Sequence, residues 1–163
     1  QPASITRNAG QAASFTVVAN ANNGTLSYQW QKNGQPVSAA TNATLTLANV
    51  SRSSGGIYSV IASNQLGGVT SSNVLVRVLV PQRFAQAPVK LGNGQMRLVF
   101  GDQDGFPLTV NELTNFVVEA ATNVLSTNWV RYTNGLAIVG GMVQFDDPDN
   151  GTQPRRFYRV IER

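Results

Sequence analysis

Short runs in which apolar and polar residues alternate recur along the whole chain of 163 residues, separated by Gly, Asn and Pro. Alternation over about four to eight residues is typical of a β-strand that buries one face. No segment longer than a turn places apolar residues at the spacing of an amphipathic helix. The sequence therefore predicts an all-β protein made of β-sandwiches.

The boundary between two domains is predicted at Val80-Pro81, because proline cannot donate to a sheet ladder and ends the last run of the first half. We predict two tandem β-sandwich domains, residues 1–80 and 81–163, joined by a short connection. The predicted strands of the first domain are Ser14–Ala19, Ser27–Lys32, Thr44–Leu47, Gly56–Ser63 and Val69–Val80. Those of the second domain are Pro88–Leu91, Gln95–Phe100, Pro107–Val110, Asn115–Ala121, Trp129–Thr133, Met142–Phe145 and Arg156–Ile161.

Turn residues and strand composition add local predictions. Asn33-Gly34 predicts a tight hairpin, since both residues tolerate positive φ, and Gly67-Gly68 predicts a second turn. The run Arg156–Ile161 is apolar on both faces between its arginines, which favours a central or covered strand.

Charge is distributed unevenly along the chain. Residues 1–80 contain four basic side chains and no Asp or Glu, whereas residues 81–163 contain eight basic and eight acidic residues. The four basic residues of the first half are scattered singly, and phosphate binding needs a dense basic stripe. No apolar run approaches the ~20 residues that span a bilayer. We therefore expect no nucleic-acid partner and no membrane insertion.

Cysteine and histidine are both absent. Their absence excludes disulfides, thiolate nucleophiles, imidazole acid–base chemistry and the usual zinc sites. Together with the many Asn, Ser, Thr and Gln residues, this composition suits an exported bacterial protein that is stabilised by packing alone. We expect a secreted or cell-surface protein that is not an enzyme and needs no cofactor.

The first half contains the motifs Tyr28-Gln29-Trp30-Gln31-Lys32-Asn33-Gly34, Leu45-x-Leu47-x-x-Val50 and Gly56–Asn64. With these motifs it resembles the immunoglobulin-like family, in particular its cysteine-free, I-set-like bacterial members. The resemblance implies that Trp30 is the buried core tryptophan and that Tyr58 bonds back to the backbone through its hydroxyl. It also places Val17 and Val60 where related domains carry their two bridging cysteines.

The second half contains the characteristic segments Phe116–Asn123, Trp129, Phe145-Asp146 and Arg156–Val160. With these segments it resembles a loosely fibronectin-like β-sandwich module found at the C-terminus of large secreted bacterial proteins. This resemblance implies that Arg163 is at or near a natural C-terminus. At the other end, Gln1–Ser4 fits the middle of a first strand, so we expect the chain to come from a longer protein.

Two acidic loops are candidate calcium sites, because oxygen clusters with glycine suit Ca²⁺. The first contains Asp102 and Asp104, and the second, residues 146–151, contains Asp146, Asp147 and Asp149. Neither loop matches the twelve-residue calcium motif. The alternative is that both loops are ordinary solvated turns, in which Asp, Asn and Gly are preferred.

One apolar cluster is predicted on the solvent side of a sheet in the first domain. If Tyr58 and Val60 point inward, Ile57 and Ile61 point outward, and Leu75 joins them from the neighbouring strand. Such a cluster predicts an interaction surface for a protein partner or for self-association. The competing explanation is that the second domain covers it.

Two functions follow from these features. The preferred one is a non-catalytic extracellular structural or adhesive module: a spacer, an interaction domain or a subunit of a surface assembly. The alternative is a carbohydrate-binding accessory module of a secreted polysaccharide-degrading enzyme. Aromatic residues that could stack on sugar rings are Phe106, Trp129 and Tyr132, all in the second domain.

Overall fold

The computed structural model describes residues 1–21, 24–149, 153 and 155–163. Alternating side chains form strands throughout, and the predicted all-β fold with two tandem β-sandwich domains is confirmed. The chain divides into two units, Gln1–Leu79 and Val80–Arg163. None of the described residues forms a helix long and apolar enough to cross a membrane.

The described residues of the first unit form two sheets. The larger has the order β1-β8-β6-β3-β4, with β7 paired to β6, and the smaller is the pair β2-β5. Its strands are β1 (Ile5–Asn8), β2 (Ala13–Thr16), β3 (Ser27–Lys32), β4 (Gln35–Pro36), β5 (Thr44–Leu47), β6 (Gly56–Asn64), β7 (Gly67–Thr70) and β8 (Val74–Leu79). A short 3₁₀ helix, Arg52–Ser54, precedes β6.

Inward-facing residues of both sheets make the core of the first unit, as alternation requires. Trp30 is fully buried, and its indole N–H donates to the Asn42 carbonyl at 2.9 Å. The Tyr58 hydroxyl donates to the Ser54 carbonyl at 2.9 Å, which confirms the predicted bond back to the backbone. Val17 and Val60 are buried as predicted.

The predicted hairpin at Asn33-Gly34 is confirmed. Both residues have positive φ, 50° and 78°, and they connect β3 to β4. The second predicted turn is displaced. Gly67 and Gly68 are the first residues of β7, and the connection from β6 lies just before them.

In the part of the second unit that the structure describes, the strands again form two sheets. One has the order β10-β11-β15-β14, with β9 paired to β11, and the other has the order β13-β12-β16. The strands are β9 (Gln82–Phe84), β10 (Val89–Lys90), β11 (Met96–Asp102), β12 (Phe116–Ala121), β13 (Val130–Tyr132), β14 (Leu136–Val139), β15 (Met142–Asp146) and β16 (Phe157–Glu162). A 3₁₀ helix, Val110–Asn115, precedes β12.

The core of the second unit lies between its two sheets. Buried side chains come from β11, β12 and β15 and from one loop residue; they are Leu98, Phe100, Leu108, Phe116, Val118, Val143 and Phe145. Phe100 and Phe116 meet edge to face at 6.0 Å between ring centroids. All six residues of β12 are buried, so both faces of this central strand are covered.

Four predictions about strands are wrong. Val69–Val80 is interrupted: Val69 and Thr70 end β7, and Val74–Leu79 form the whole of β8. Pro107–Val110 is not a strand: Leu108 reaches the core from a loop, and Val110 begins the 3₁₀ helix. β16 is an edge strand rather than a central one, because β12 takes the middle of its sheet. The first strand begins at Ile5, after Gln1–Ser4.

Candidate functional site

The predicted apolar cluster lies on the outer face of the larger sheet of the first unit. Ile57 and Leu75 are directly opposite each other in the ladder between β6 and β8. They are 48% and 50% exposed. Ile61 lies on the same face, four residues further along β6, but it is only partly exposed. The structure therefore offers a cross-strand pair, here called the Ile57–Leu75 pair, rather than three equally exposed aliphatic residues.

The charge near this pair is positive. Arg77 follows Leu75 by two residues on β8 and therefore shares its face. No Asp or Glu occurs in the first unit to balance it. A surface that presents two half-exposed aliphatic side chains beside an uncompensated arginine is complementary to an apolar patch with an acidic rim.

The first acidic loop contains one buried and one exposed carboxylate. Asp102 is the last residue of β11 and is almost fully buried, and it accepts a hydrogen bond from the Gln82 amide at 2.6 Å. Asp104 is exposed, and its carboxylate accepts the backbone N–H of Phe106 at 3.1 Å. Asp104 therefore serves as a turn residue, as the solvated-turn alternative predicts.

The carboxylates of the second acidic loop form ion pairs with arginine side chains. Asp146 forms a two-pronged pair with Arg97, with both N–O distances at 2.7 Å. The hydrogen bond from Arg97 holds the pKa of Asp146 below its usual value, against the opposing effect of burial. Asp149 pairs with Arg156. Asn150 and Gly151 of this loop lie outside the described residues.

Asp147 is fully buried, which is not expected of a loop aspartate. Its carboxylate accepts the Tyr158 hydroxyl at 2.8 Å, and Arg156 contacts it through Nε at 2.8 Å and Nη2 at 3.3 Å. The same guanidinium donates to the Tyr132 hydroxyl at 3.0 Å. Burial, together with the hydrogen bond to Asp147, raises the pKa of Tyr158 well above its ordinary value. This network neutralises a carboxylate inside the unit, where an isolated charge would be strongly destabilising.

These contacts bear on the calcium prediction. Over the described ranges 1–21, 24–149, 153 and 155–163, no three His, Cys, Asp or Glu residues converge as a metal site. A calcium ion at the second loop would have to displace Arg97 or Arg156 from its carboxylate. Calcium binding stays a prediction from the sequence, and the arrangement of the described carboxylates does not support it.

The three aromatic residues predicted to bind sugar lie in three different environments. Phe106 is exposed beside a cleft of about 320 Å³ that Phe84 and Met142 also line. Tyr132 faces the core and contacts Phe145 at 5.2 Å between ring centroids. Trp129 precedes β13, and the guanidinium carbon of Arg159 lies 4.3 Å from the centre of the Trp129 ring. The structure therefore does not unite them in one binding surface.

A charged cluster on the sheet β13-β12-β16 was missed by the sequence analysis. Glu119 of β12 lies directly opposite Arg131 on one side and Arg159 on the other. Each arginine donates its Nε to one oxygen of this buried carboxylate at 2.6 Å. The hydrogen bond from Arg131 is the main reason that the pKa of Glu119 lies below its usual range, and Arg159 adds to it. A glutamate in the middle of the apolar run Phe116–Ala121 was the available signal, because a buried charge requires a partner.

The sandwich of the first unit has a buried tryptophan and a tyrosine hydroxyl bonded to the backbone, which are features that immunoglobulin-like domains share. The immunoglobulin domain family matches residues 1–64. No curated protein matches the chain.

One solved structure has a similar fold over almost the whole chain. The chain is similar to the crystal structure of Dpr2 Ig1-Ig2 in complex with DIP-Theta Ig1-Ig3, with 15% identity, a TM-score of 0.51 and 98% of this chain covered. It is also similar to the tandem Ig repeats of Dlar, with 23% identity, a TM-score of 0.45 and 49% of this chain covered. The chain matches 60% and 46% of the lengths of those two proteins. Because 731 chains of known structure match, the fold by itself does not identify a ligand.

Proposed function

We propose that the chain is a non-catalytic interaction module of a secreted or cell-surface protein, and that the Ile57–Leu75 pair is its contact with a protein partner. The observation that carries the proposal is the position of this pair. Two large aliphatic side chains lie directly opposite each other on an outer sheet face, and each is about half exposed. The cysteine-free composition supports an exported bacterial protein.

The binding energy that this pair can supply depends on Ile57 and Leu75 being adjacent. A single exposed aliphatic residue is common on protein surfaces and needs no explanation. Two that are in register across a ladder form one contiguous apolar surface, which a partner can bury as a unit. Burying the exposed half of each side chain would contribute on the order of 1 kcal/mol per residue, or about 2 kcal/mol for the pair.

The charge of this face favours a partner other than a second copy of the chain. Two first units meeting face to face would bring two Arg77 side chains together with no carboxylate between them. A partner with an apolar centre and acidic rim meets no such repulsion. The similar structure of Dpr2 with DIP-Theta is a complex between Ig-domain proteins, and this analogy supports a protein partner.

The experiment replaces Ile57 and Leu75 together by Thr, which keeps the β-propensity of both strands. Proteins from the source culture that bind the immobilised wild-type chain are identified, and the dissociation constant is then measured with the purified partner. We expect the double variant to bind about tenfold more weakly or worse. The matched control is Leu125→Thr, which removes an even more exposed aliphatic side chain from a loop of the second unit.

Equal binding by wild type and the Ile57/Leu75 variant would show that this pair is not the contact. The same conclusion follows if Leu125→Thr weakens binding equally, because the effect would then be general stickiness. A wild-type chain that dimerises at micromolar concentration in sedimentation, with loss of the dimer in the double variant, would replace the external partner by a second copy. Thermal melts of all variants confirm that folding is intact.

A further inference from the structure

The outward face of the sheet β13-β12-β16 carries a carboxylate between two cations. Glu119, on the central strand, is almost fully buried, and Arg131 and Arg159 contact its two oxygens from the strands on either side. Because both arginines share one carboxylate at 2.6 Å, their guanidinium groups lie within about 8 Å of each other. Glu119 thus fixes the separation and the orientation of two cations.

The charge of this cluster is not balanced. One glutamate needs one cation for neutrality, and here it has two. The side chains of Arg131 and Arg159 are 58% and 52% exposed, so the excess positive charge faces solvent. Each guanidinium uses Nε for Glu119, and in the described part of the chain its Nη1–Nη2 edge has no other hydrogen-bond partner. That planar edge has the geometry to hold a second carboxylate through two hydrogen bonds.

Aromatic rings flank the two arginines. Trp129 lies 4.3 Å from the Arg159 guanidinium, and its indole N–H donates to the Ser126 carbonyl at 2.8 Å, which fixes the ring. Phe157 lies two residues before Arg159 on β16, on the same face, and is partly exposed. Oriented guanidinium groups beside rigid aromatic rings can bind the carboxylates and the ring faces of sugars together.

We propose that this face, formed by Arg131, Glu119, Arg159, Trp129 and Phe157, binds the uronate residues of an acidic polysaccharide. Arg131 and Arg159 bind the carboxylates, the two aromatic rings contact the sugar rings, and Glu119 is a positioning residue. An acidic peptide is the competing occupant, but the two aromatic rings beside the arginines favour a sugar, because sugar rings present apolar faces that stack on them. The proposal is independent of the protein-binding face in the first unit.

The test uses the full chain and an oligosaccharide of galacturonic acid, with its fully methyl-esterified form as the neutral probe. Isothermal titration calorimetry should show binding of the acid form only, weakening as salt concentration rises. Arg131→Gln with Arg159→Gln should reduce affinity about tenfold or more, since each arginine contributes charge-assisted hydrogen bonds. Trp129→Ala should reduce affinity several-fold. The matched control, Arg97→Gln, removes a partly exposed arginine whose guanidinium already forms an ion pair with Asp146, and it should leave binding unchanged.

A second pair of variants protects the test against misfolding. Removing both arginines leaves Glu119 buried without a partner, so Arg131→Lys and Arg159→Lys are measured as well. Lysine keeps the charge and the pairing with Glu119 but lacks the planar two-pronged edge, so affinity should fall while the melting temperature changes little.

Any one of the following results would overturn the proposal: no binding of the acid form, equal binding of the methyl ester, an equal loss of affinity in Arg97→Gln, or full affinity in both lysine variants. Equal affinity for poly-glutamate would also overturn it, because the surface would then be a general anion site. Ile57→Thr with Leu75→Thr should leave oligosaccharide binding intact. The two proposals can therefore fail separately.

Discussion

Asp146 and Asp147 offer a direct comparison of an exposed and a buried ion pair at adjacent positions. Asp146 pairs with Arg97, and the two side chains are 30% and 36% exposed. Asp147 pairs with Arg156, and the two side chains are 0% and 11% exposed. Replacing each aspartate by asparagine removes one negative charge while keeping the shape of the side chain, so the two variants differ only in the environment of the lost charge.

We expect Asp147→Asn to destabilise the second unit by about 2–4 kcal/mol, because it leaves the buried Arg156 with Asp149 as its remaining counterion and gives Tyr158 a poorer acceptor. Asp146→Asn should cost about 1 kcal/mol or less, since solvent screens that pair. A unit of this size has an unfolding free energy of roughly 5–10 kcal/mol. Asp147→Asn would therefore remove a large share of the total stability.

Urea unfolding of the full chain, combined with amide hydrogen exchange over residues 80–163, measures the second unit separately from the first. Adding Arg156→Met to Asp147→Asn should recover part of the loss, because no buried cation then lies beside the neutral side chain at position 147, and Asp149, which is 20% exposed, can be solvated. Equal costs of the two asparagine variants within about 1 kcal/mol would contradict this expectation, and so would a double variant in which Arg156→Met adds its full single-variant cost to Asp147→Asn.

Trp30→Ala should destabilise the first unit by about 3–5 kcal/mol, because the variant loses buried apolar surface and leaves a cavity. Urea unfolding combined with amide hydrogen exchange over residues 1–79 measures this loss. A loss below about 1 kcal/mol would contradict the central position of Trp30 in the core. The pKa of Glu119 is lowered in the folded chain. Its ionised carboxylate therefore stabilises the fold above the ordinary glutamate pKa of about 4.3, and this stabilisation is lost as pH falls through the pKa of the folded state. In melts recorded from neutral to acid pH, the melting temperature of Glu119→Gln should decline less steeply than that of the wild type. Millimolar Ca²⁺ should shift the melting temperature by less than about 1 °C relative to chelator, because Arg97 and Arg156 hold the second acidic loop; a larger rise would restore the calcium site.

Much of the first unit follows from local sequence. Ser27–Lys32 and Thr44–Leu47 are strands with the predicted bounds, and the Asn33-Gly34 turn is where it was expected. Alternation and turn chemistry act between residues close in the chain, so they can be identified without a fold. The inward direction of Trp30 and Tyr58 follows from the same alternation.

Local sequence was less informative in the second unit. Pro107–Val110 has the composition of a strand, but Leu108 packs into the core from a loop. β16 has apolar residues on both faces, but it lies at the edge of its sheet. The central strand is β12, which pairs with β13 on one side and with β16 on the other. Which strand takes the centre of a sheet depends on pairing between distant segments, and a single strand's composition does not specify it.

Tertiary structure alone decided the charged sites. Glu119 and Arg159 are 40 residues apart in sequence, but Nε of Arg159 lies 2.6 Å from Oε2 of Glu119. Asp147 has the local sequence of a solvated turn, yet Arg156 and Tyr158 surround it. The sequence by itself determined that the chain forms β-sandwiches and which side chains face inward. Only the fold decided which buried charges meet, because an ion pair depends on distance in space, and the packing of the sheets sets that distance.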